Sequence, residues 1–476
     1  MAYLHQPETF SRHLAGEWQG VPPAYATGFS IDTRTLREGE IFVALRTSQR
    51  DGHEFLAAAR SAGAAGALVA MANPQVDLPQ FVTADPAKAM AELALAHRRS
   101  FAAPVVAVTG SCGKTSTKDL LARLLGGADV HRTEANLNNQ LGVPLTLLTL
   151  DPNHHRFAVV EAGINQVGEM DFLTRTIEPD VAVVTHVGPA HLAGLGSLAG
   201  VAREKACLLN GLRPSSFAVF PASCLAHAPF REVTVPVLVV AEEGRQVQFM
   251  PTQAELVTYS RESGETGNSD TLRLRVPGYS EVELALPPIS AGMCSNLALA
   301  VTVALRLGVE PEVLPTRLQG WQPARMRGEI RRHDGRDFYV DCYNANPASM
   351  IDTLAAFDRR YPYGGRLLVL GSMWELGEEA ETWHRRVGER IPLRDGDALV
   401  LIGPHALAYA DGVIGAGGNP ELCLCLKDTQ DARETVEQFR GPTLLKGSRV
   451  HGLEVLLPED AVAVADGGVG KGGAPC

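Results

Sequence analysis

The chain contains no apolar run of the ~18 residues that a membrane-spanning helix needs, no clustered cysteines and no excess of positive charge. The first absence excludes a helical membrane anchor, so no membrane partner is expected. Met1 to Gly20 carries His5, Glu8 and Trp18 where a secretory leader would carry an apolar core, and a cytoplasmic location is expected. The eight cysteines (Cys112, Cys207, Cys224, Cys294, Cys342, Cys423, Cys425, Cys476) have neither zinc spacing nor the look of a disulfide framework. Such usage fits a reducing compartment. Lys plus Arg number 43 against 54 Asp plus Glu, a formal net charge of −11. A polyanion would need a local basic patch that the sequence lacks, which sets nucleic acid aside as a partner.

What is present is length and α/β alternation. At 476 residues the chain is too long for one core and suits three domains. Strand and helix patterns place them at residues 1–100, 101–320 and 321–460, followed by a glycine-rich flexible tail at 461–476. The fold class expected is α/β. It comprises a small N-terminal α/β domain, a central doubly wound parallel sheet carrying a short phosphate loop, and a C-terminal Rossmann-like α/β domain. Residues 246 to 286 read as an antiparallel β appendage, and Asn296 to Leu307 as an Ala/Leu-rich helix.

The central stretch is VVAVTGSCGKTSTKDLLARLL, Val105 to Leu125. A β-branched run ends at Thr109, a tight loop covers Gly110, Ser111, Cys112 and Gly113, and a helix begins at Lys114. Glycines let backbone N–H groups turn toward phosphate oxygens, and the helix N-terminus adds positive dipole. Lys114 supplies a charge, while the Thr115 hydroxyl, next to Ser116, can ligate Mg²⁺. Only two residues separate Gly110 from Gly113, against four in the usual Walker spacing, which points away from ordinary P-loop kinases. Glu161 closes a later strand and can hold Mg²⁺ at the carboxyl edge of a parallel sheet. His191 follows the next strand at the same edge. In the last domain Asp341, Asn344, Asn346, Glu375, Lys446 and Arg449 collect after strands; a capping or turn role suits Asn346 and Glu375 singly. Asp32 and Arg34 share a turn in the first domain.

Taken in order, TGSCGKTSTKDLL, EANLNNQLGVPLTLL, VVEAGINQVGEM, GPAHLAGLGSLAGVAREK, DCYNANPASM, LGSMWELGEEAETWHRRVG and LLKGSR resemble the Mur ligases of peptidoglycan synthesis. SIDTRTLREGEIFVAL, DCYNANPASM and KGSR are most similar to the branch that joins D-alanyl-D-alanine to UDP-N-acetylmuramoyl-tripeptide, and a DNPR-type diaminopimelate signature is absent. The resemblance implies an ATP-dependent carboxylate-amine ligase with ATP and Mg²⁺ as cofactors, those two molecules as substrates, and a monomer. It implies nucleotide contacts from Gly110 through Ser116, Asn296, Arg325 and Asp341. It implies substrate contacts from Asp32, Thr33, Arg34, Asn138, Asn139, Asn344, Asn346, Lys446 and Arg449. Lys114, Glu161, His191 and Lys205 become the catalytic set, and Thr115, Glu161, His191 and a carbamylated Lys205 the metal ligands. A folyl-polyglutamate-type or another Mur ligase, and a nucleotide-binding relative without turnover, are the alternatives. Where the family usually has Gly-x-His-Asn ahead of Asn296, this chain has Ser290-Ala-Gly-Met293, which puts the adenine contacts in question. Cys112 is expected as a small filler, with a reactive thiol as the alternative.

Overall fold

The computed structural model describes residues 5–213, 215–264 and 269–464. Within them the strands assort into three sheets, one for each α/β alternation of the sequence. The first sheet has strands β1 (Glu17–Gln19), β2 (Gly28–Ser30), β3 (Glu40–Val43), β4 (Gly66–Val69) and β5 (Gln80–Val82), in the order β1-β5-β4-β3-β2. The helix Pro86–Ser100 follows, started by Asp85, whose carboxylate accepts from Ala87 and Lys88 N–H, and by Pro86 at its first position.

The central sheet contains β6 (Val105–Thr109), β7 (Val130–Arg132), β8 (Phe157–Glu161), β9 (Val181–Val184) and β10 (Phe217–Pro221). It continues through β11 (Val237–Glu242), β12 (Ala254–Ser263), β13 (Asp270–Arg275) and β14 (Val282–Leu286). Its order is β14-β13-β12-β11-β10-β9-β6-β8-β7. Every residue of β6 is buried, as its unbroken β-branched run requires of a strand covered on both faces. The chain runs outward from β6 to β7 and β8 on one side and to β9 on the other. The loop after β6 therefore opens at the point where the winding reverses, the crevice where such sheets bind ligands.

The antiparallel excursion expected over residues 246 to 286 is present as β12 to β14, and the parallel pairing of β12 with β11 joins it to the central sheet. One expectation changes here. The helix expected from Asn296 starts earlier, spans Ala291–Arg306, and is capped by the Ser290 hydroxyl accepting from Met293 N–H. It shares a core with the helix Lys114–Leu125 through Leu120, Leu121 and Leu124 against Leu297, Val301 and Leu305. Each such fully buried leucine contributes about 1.5–3 kcal/mol.

The third sheet holds β15 (Glu329–His333), β16 (Arg336–Asp341), β17 (Leu367–Gly371), β18 (Ala398–Ile402), β19 (Cys423–Leu426), β20 (Thr443–Lys446) and β21 (Val462–Ala463). They lie in the order β19-β18-β17-β20-β16-β15-β21. The tail expected from residue 461 thus starts too early, because Val462 and Ala463 pair with Arg332 and Arg331 as an edge strand. Residues 465–476 lie outside the described ones. The third unit rests on the central one: the Asn346 amide donates to Ser111 O at 3.0 Å and Arg359 to Ile289 O at 2.5 Å. Among the described residues no helix is long and apolar enough to cross a membrane.

Candidate functional site: a phosphate loop facing a second α/β unit

A cavity of about 710 Å³ lies between the central and third units, bounded by the phosphate loop, the ends of β8 and β16, and Lys446. The loop is held from beneath. Thr109 donates to Ala162 O at 2.8 Å, and the Ser111 hydroxyl donates to Gly188 O at 2.8 Å while accepting from Gly188 N–H at 3.0 Å. Thr185 donates to Cys112 O. Ser111 and the Cys112 carbonyl are thus structural members of the loop. Gly113 has φ +81°, in the left-handed region, and a Cβ there would stand 2.5 Å from Asn296 Oδ1. No side chain caps the helix beginning at Lys114, so its first N–H groups remain available to an anion.

Lys114 Nζ donates to Gly110 O at 2.8 Å. Burial holds its pKa below the ordinary lysine value, and Glu161 opposes that shift. Glu161 is 2% exposed; Oε1 accepts from the Asn138 amide at 2.8 Å, while Oε2 is buried without a hydrogen-bond partner. An unpaired buried carboxylate oxygen costs about 1–3 kcal/mol or more, and a cation offsets that cost. No three of His, Cys, Asp and Glu form a metal-holding group among the described residues. The donors present suit a hard cation that takes few protein oxygens and completes its shell with phosphate and water.

Lys205, on the helix Leu198–Asn210, is 1% exposed and so is no surface residue. Its neighbour Glu204 is turned away, accepting from Gly168 and Met170 N–H. Burial first, then the charge of Lys114, holds the Lys205 amine well below its usual pKa. His191, in the left-handed region at φ 55°, lines the cavity. Its Nδ1 meets the Glu375 carboxylate of the third unit at ion-pair range, without the alignment of a regular hydrogen bond.

Other expected residues divide. Asn138, Asn139, Asn296, Asp341, Asn344, Asn346 and Lys446 all line the cavity. Several of their polar groups already have partners. Asn139 Oδ1 accepts from Leu141 and Gly142 N–H, and Lys446, 1% exposed, donates to Asn344 O at 2.8 Å and pairs with Asp341 at 3.0 Å. Asn346 bears out the expected capping role and also ties the units together: its Oδ1 caps the helix Pro347–Arg360 and its Nδ2 holds Ser111 O. Arg449 pairs with Glu454 outside the cavity lining. Asp32 and Arg34 pair at 2.5 Å in the first unit; neither they nor Thr33 line the cavity.

Arg325 is likewise absent from the lining, and Arg327 stands there instead. Arg327 donates to the Thr115 hydroxyl at 3.0 Å and stacks over Tyr343, 4.1 Å from the ring centroid. Two arginines two residues apart in an irregular segment offer no periodicity from which to choose between them. Asp352 was also missed. It accepts from Gly292 N–H at 2.9 Å, within the altered Ser290 to Met293 segment, and its burial raises its pKa. A Cβ at Gly292 would lie 2.5 Å from Asp352 Oδ2, so the loss of a histidine there makes room for this carboxylate. Burial pushes the Cys112 thiol up to about 11, which favours the filler over the reactive thiol.

Fold and site together define a phosphate-loop nucleotide-binding α/β protein whose loop is faced by a second, Rossmann-like unit. Comparison with known proteins gives the same class and narrows it. The Mur ligase middle domain matches residues 108–304, and the Mur ligase glutamate ligase domain residues 326–448. UDP-N-acetylmuramoyl-tripeptide--D-alanyl-D-alanine ligase of Escherichia coli is 34% identical over 406 residues, covering 84% of this chain and 86% of the relative. The Bacillus subtilis protein of that name is 31% identical, covering 81% and 82%. A crystal structure of MurF from Acinetobacter baumannii superposes with a TM-score of 0.84 at 28% identity over 96% of this chain and 98% of that one. MurF ligase of Thermotoga maritima in complex with ADP gives 0.72 at 25% identity, covering 90% and 96%. This chain belongs to the Mur ligase family.

Proposed function

We propose that the chain is an ATP-dependent ligase that joins D-alanyl-D-alanine to UDP-N-acetylmuramoyl-tripeptide, a cytoplasmic step of peptidoglycan precursor synthesis. The observation that carries this reading is the meeting, in one cavity, of an uncapped helix N-terminus, Lys114, Thr115, the unpaired Glu161 carboxylate and His191 with residues of a second α/β unit. The relatives' names and the family membership support the substrate pair.

A peptide carboxylate is a poor electrophile at neutral pH; transfer of the ATP γ-phosphoryl group to it would give an acyl phosphate and ADP, and attack by the dipeptide amine on that carbonyl would form the amide and release inorganic phosphate. The chain supplies positioning and charge. Backbone N–H groups of Gly113 to Thr115 and the Lys114 ammonium would hold the phosphates, and Arg327 adds a second cation beside Thr115. Thr115 and Glu161 would hold one Mg²⁺. His191, with Lys205 as a carbamate, would hold another. Lys205 suits carbamylation because burial without an ion-pair partner among the described residues favours its neutral amine, the form that reacts with CO₂. Residues 1–100 would bind the uridine end, residues 101–320 ATP, and residues 321–460 would bring the dipeptide and exclude water from a hydrolysable intermediate.

The test is product analysis. With ATP, Mg²⁺, UDP-muramoyl-tripeptide and D-alanyl-D-alanine, mass spectrometry should show UDP-muramoyl-pentapeptide; ATP consumption without that product would overturn the proposal.

A further inference from the structure

We propose that Glu375 is the positioning residue of His191, and that the loop from Glu375 to Gly377 is a clasp through which the third unit readies the phosphate site. The inference rests on the ligase reading above. Four observations carry it. First, the Glu375 carboxylate, from the loop after β17, reaches His191 Nδ1, on the loop after β9, across the seam between units. Second, the backbone makes the same crossing: Ala193 N–H donates to Glu375 O at 3.4 Å, and Gly377 lies beside Ala193, where an added Cβ would come into ordinary van der Waals contact at 3.5 Å. Third, both partners hold unusual backbone for side-chain-bearing residues, with φ 55° at His191 and φ 64° at Glu375. Such conformations persist only where the surroundings over-determine them, and they gather at functional sites.

Fourth, the Glu375 loop is anchored from inside its own unit. His384, fully buried, takes Met373 N–H on Nε2 at 2.8 Å and donates from Nδ1 to Ala380 O at 2.6 Å. The Ser448 hydroxyl, in the KGSR segment, accepts from Trp374 N–H at 3.0 Å. A half-exposed ion pair held by neither anchors nor strain would contribute little and could be dismissed as surface chemistry. Here both sides are fixed, so the carboxylate selects one orientation of the imidazole. A carboxylate opposite Nδ1 favours the tautomer with its proton there and leaves Nε2 as the basic nitrogen, the role second-sphere carboxylates perform for metal-binding histidines. The pair spans the seam between the two units, so presentation of His191 depends on the third unit.

Glu375→Gly tests this in the full chain. Glycine accepts φ 64° without strain, so the variant removes the carboxylate while easing the backbone. Two results are expected. The kcat for pentapeptide formation falls about 10- to 100-fold with the KM for ATP and dipeptide unchanged. In the substrate-free protein, amide hydrogen exchange over residues 191–196 quickens while the melting temperature holds. A Glu375→Gly protein with wild-type kcat, or with unchanged exchange over that segment, overturns the clasp. Wild-type protein that makes no pentapeptide would sink the ligase reading instead, and the exchange measurement alone would then decide the clasp.

Discussion

Gly113→Ala probes the phosphate loop through two separable costs. Gly113 has φ +81°, and placing a β-carbon in the left-handed region costs about 1–2 kcal/mol. The new Cβ would also stand 2.5 Å from Asn296 Oδ1, 2.8 Å from Nδ2 and 2.9 Å from Cγ, all well inside van der Waals contact. Asn296 is only 9% exposed, so it must turn into occupied space, and overpacking of this kind costs about 1–3 kcal/mol. The sum is a destabilisation of roughly 2–5 kcal/mol, readable as a lowered midpoint in a denaturant titration. Displaced Asn296 and distorted loop amides should weaken ADP binding at least roughly tenfold, equivalent to about 1.4 kcal/mol, measured by calorimetry. Gly168→Ala is the control: Gly168 precedes the helix Glu169–Ile177 with φ +88°, in the same left-handed region as Gly113, and nothing stands within 4 Å of an added Cβ. It should show the backbone cost alone and bind ADP as wild type does. Gly113→Ala protein with wild-type ADP affinity would refute the placement of nucleotide between the loop and Asn296.

Three further outcomes are expected. Lys114→Ala should keep its denaturation midpoint and lose at least roughly 100-fold in turnover, since a charge-assisted contact contributes about 1.5–3 kcal/mol and more against transition-state charge; wild-type turnover in the folded variant would remove the loop from the mechanism. Burial holds the imidazoles of His5 and His131 at about 4, below their ordinary 6.5. Between those values the unfolded chain binds protons that the folded chain refuses, so stability falls as pH drops from 6.5 toward 4, on the order of 1–2 kcal/mol for each histidine by pH 5, and neither contributes a pH dependence well above 6.5; a melting temperature flat from pH 7 to 5 would contradict this. Equilibration with ¹³C-bicarbonate should give a carbamate resonance that disappears in Lys205→Ala, and no such signal, with full activity in the variant, would remove Lys205 from the metal set.

The phosphate loop was legible because strand, glycines, Lys-Thr and helix are contiguous, and each local preference agrees with the next. Glu161 was legible because a carboxylate ending an apolar strand can only face the sheet's carboxyl edge. What stayed hidden depends on the meeting of units distant in sequence. Arg327 could not be told from Arg325 until the segment after Pro323 lay against Thr115. Glu375 passed for a turn residue because its partner, His191, lies on another sheet's loop. Asn346 was correctly suspected as a cap, yet its second bond, to Ser111 O, could not be read from a local pattern. Lys205 shows the reverse limit: only the family resemblance singled it out, and its burial becomes visible once the helix Leu198–Asn210 is packed.

The most direct measurement of the central claim is phosphate release with ATP, UDP-muramoyl-tripeptide and one amine at a time, each component omitted in turn. Release should require all three and D-alanyl-D-alanine as the amine. Sustained release with diaminopimelate, lysine or glutamate as the sole amine, or with ATP alone, would contradict the account.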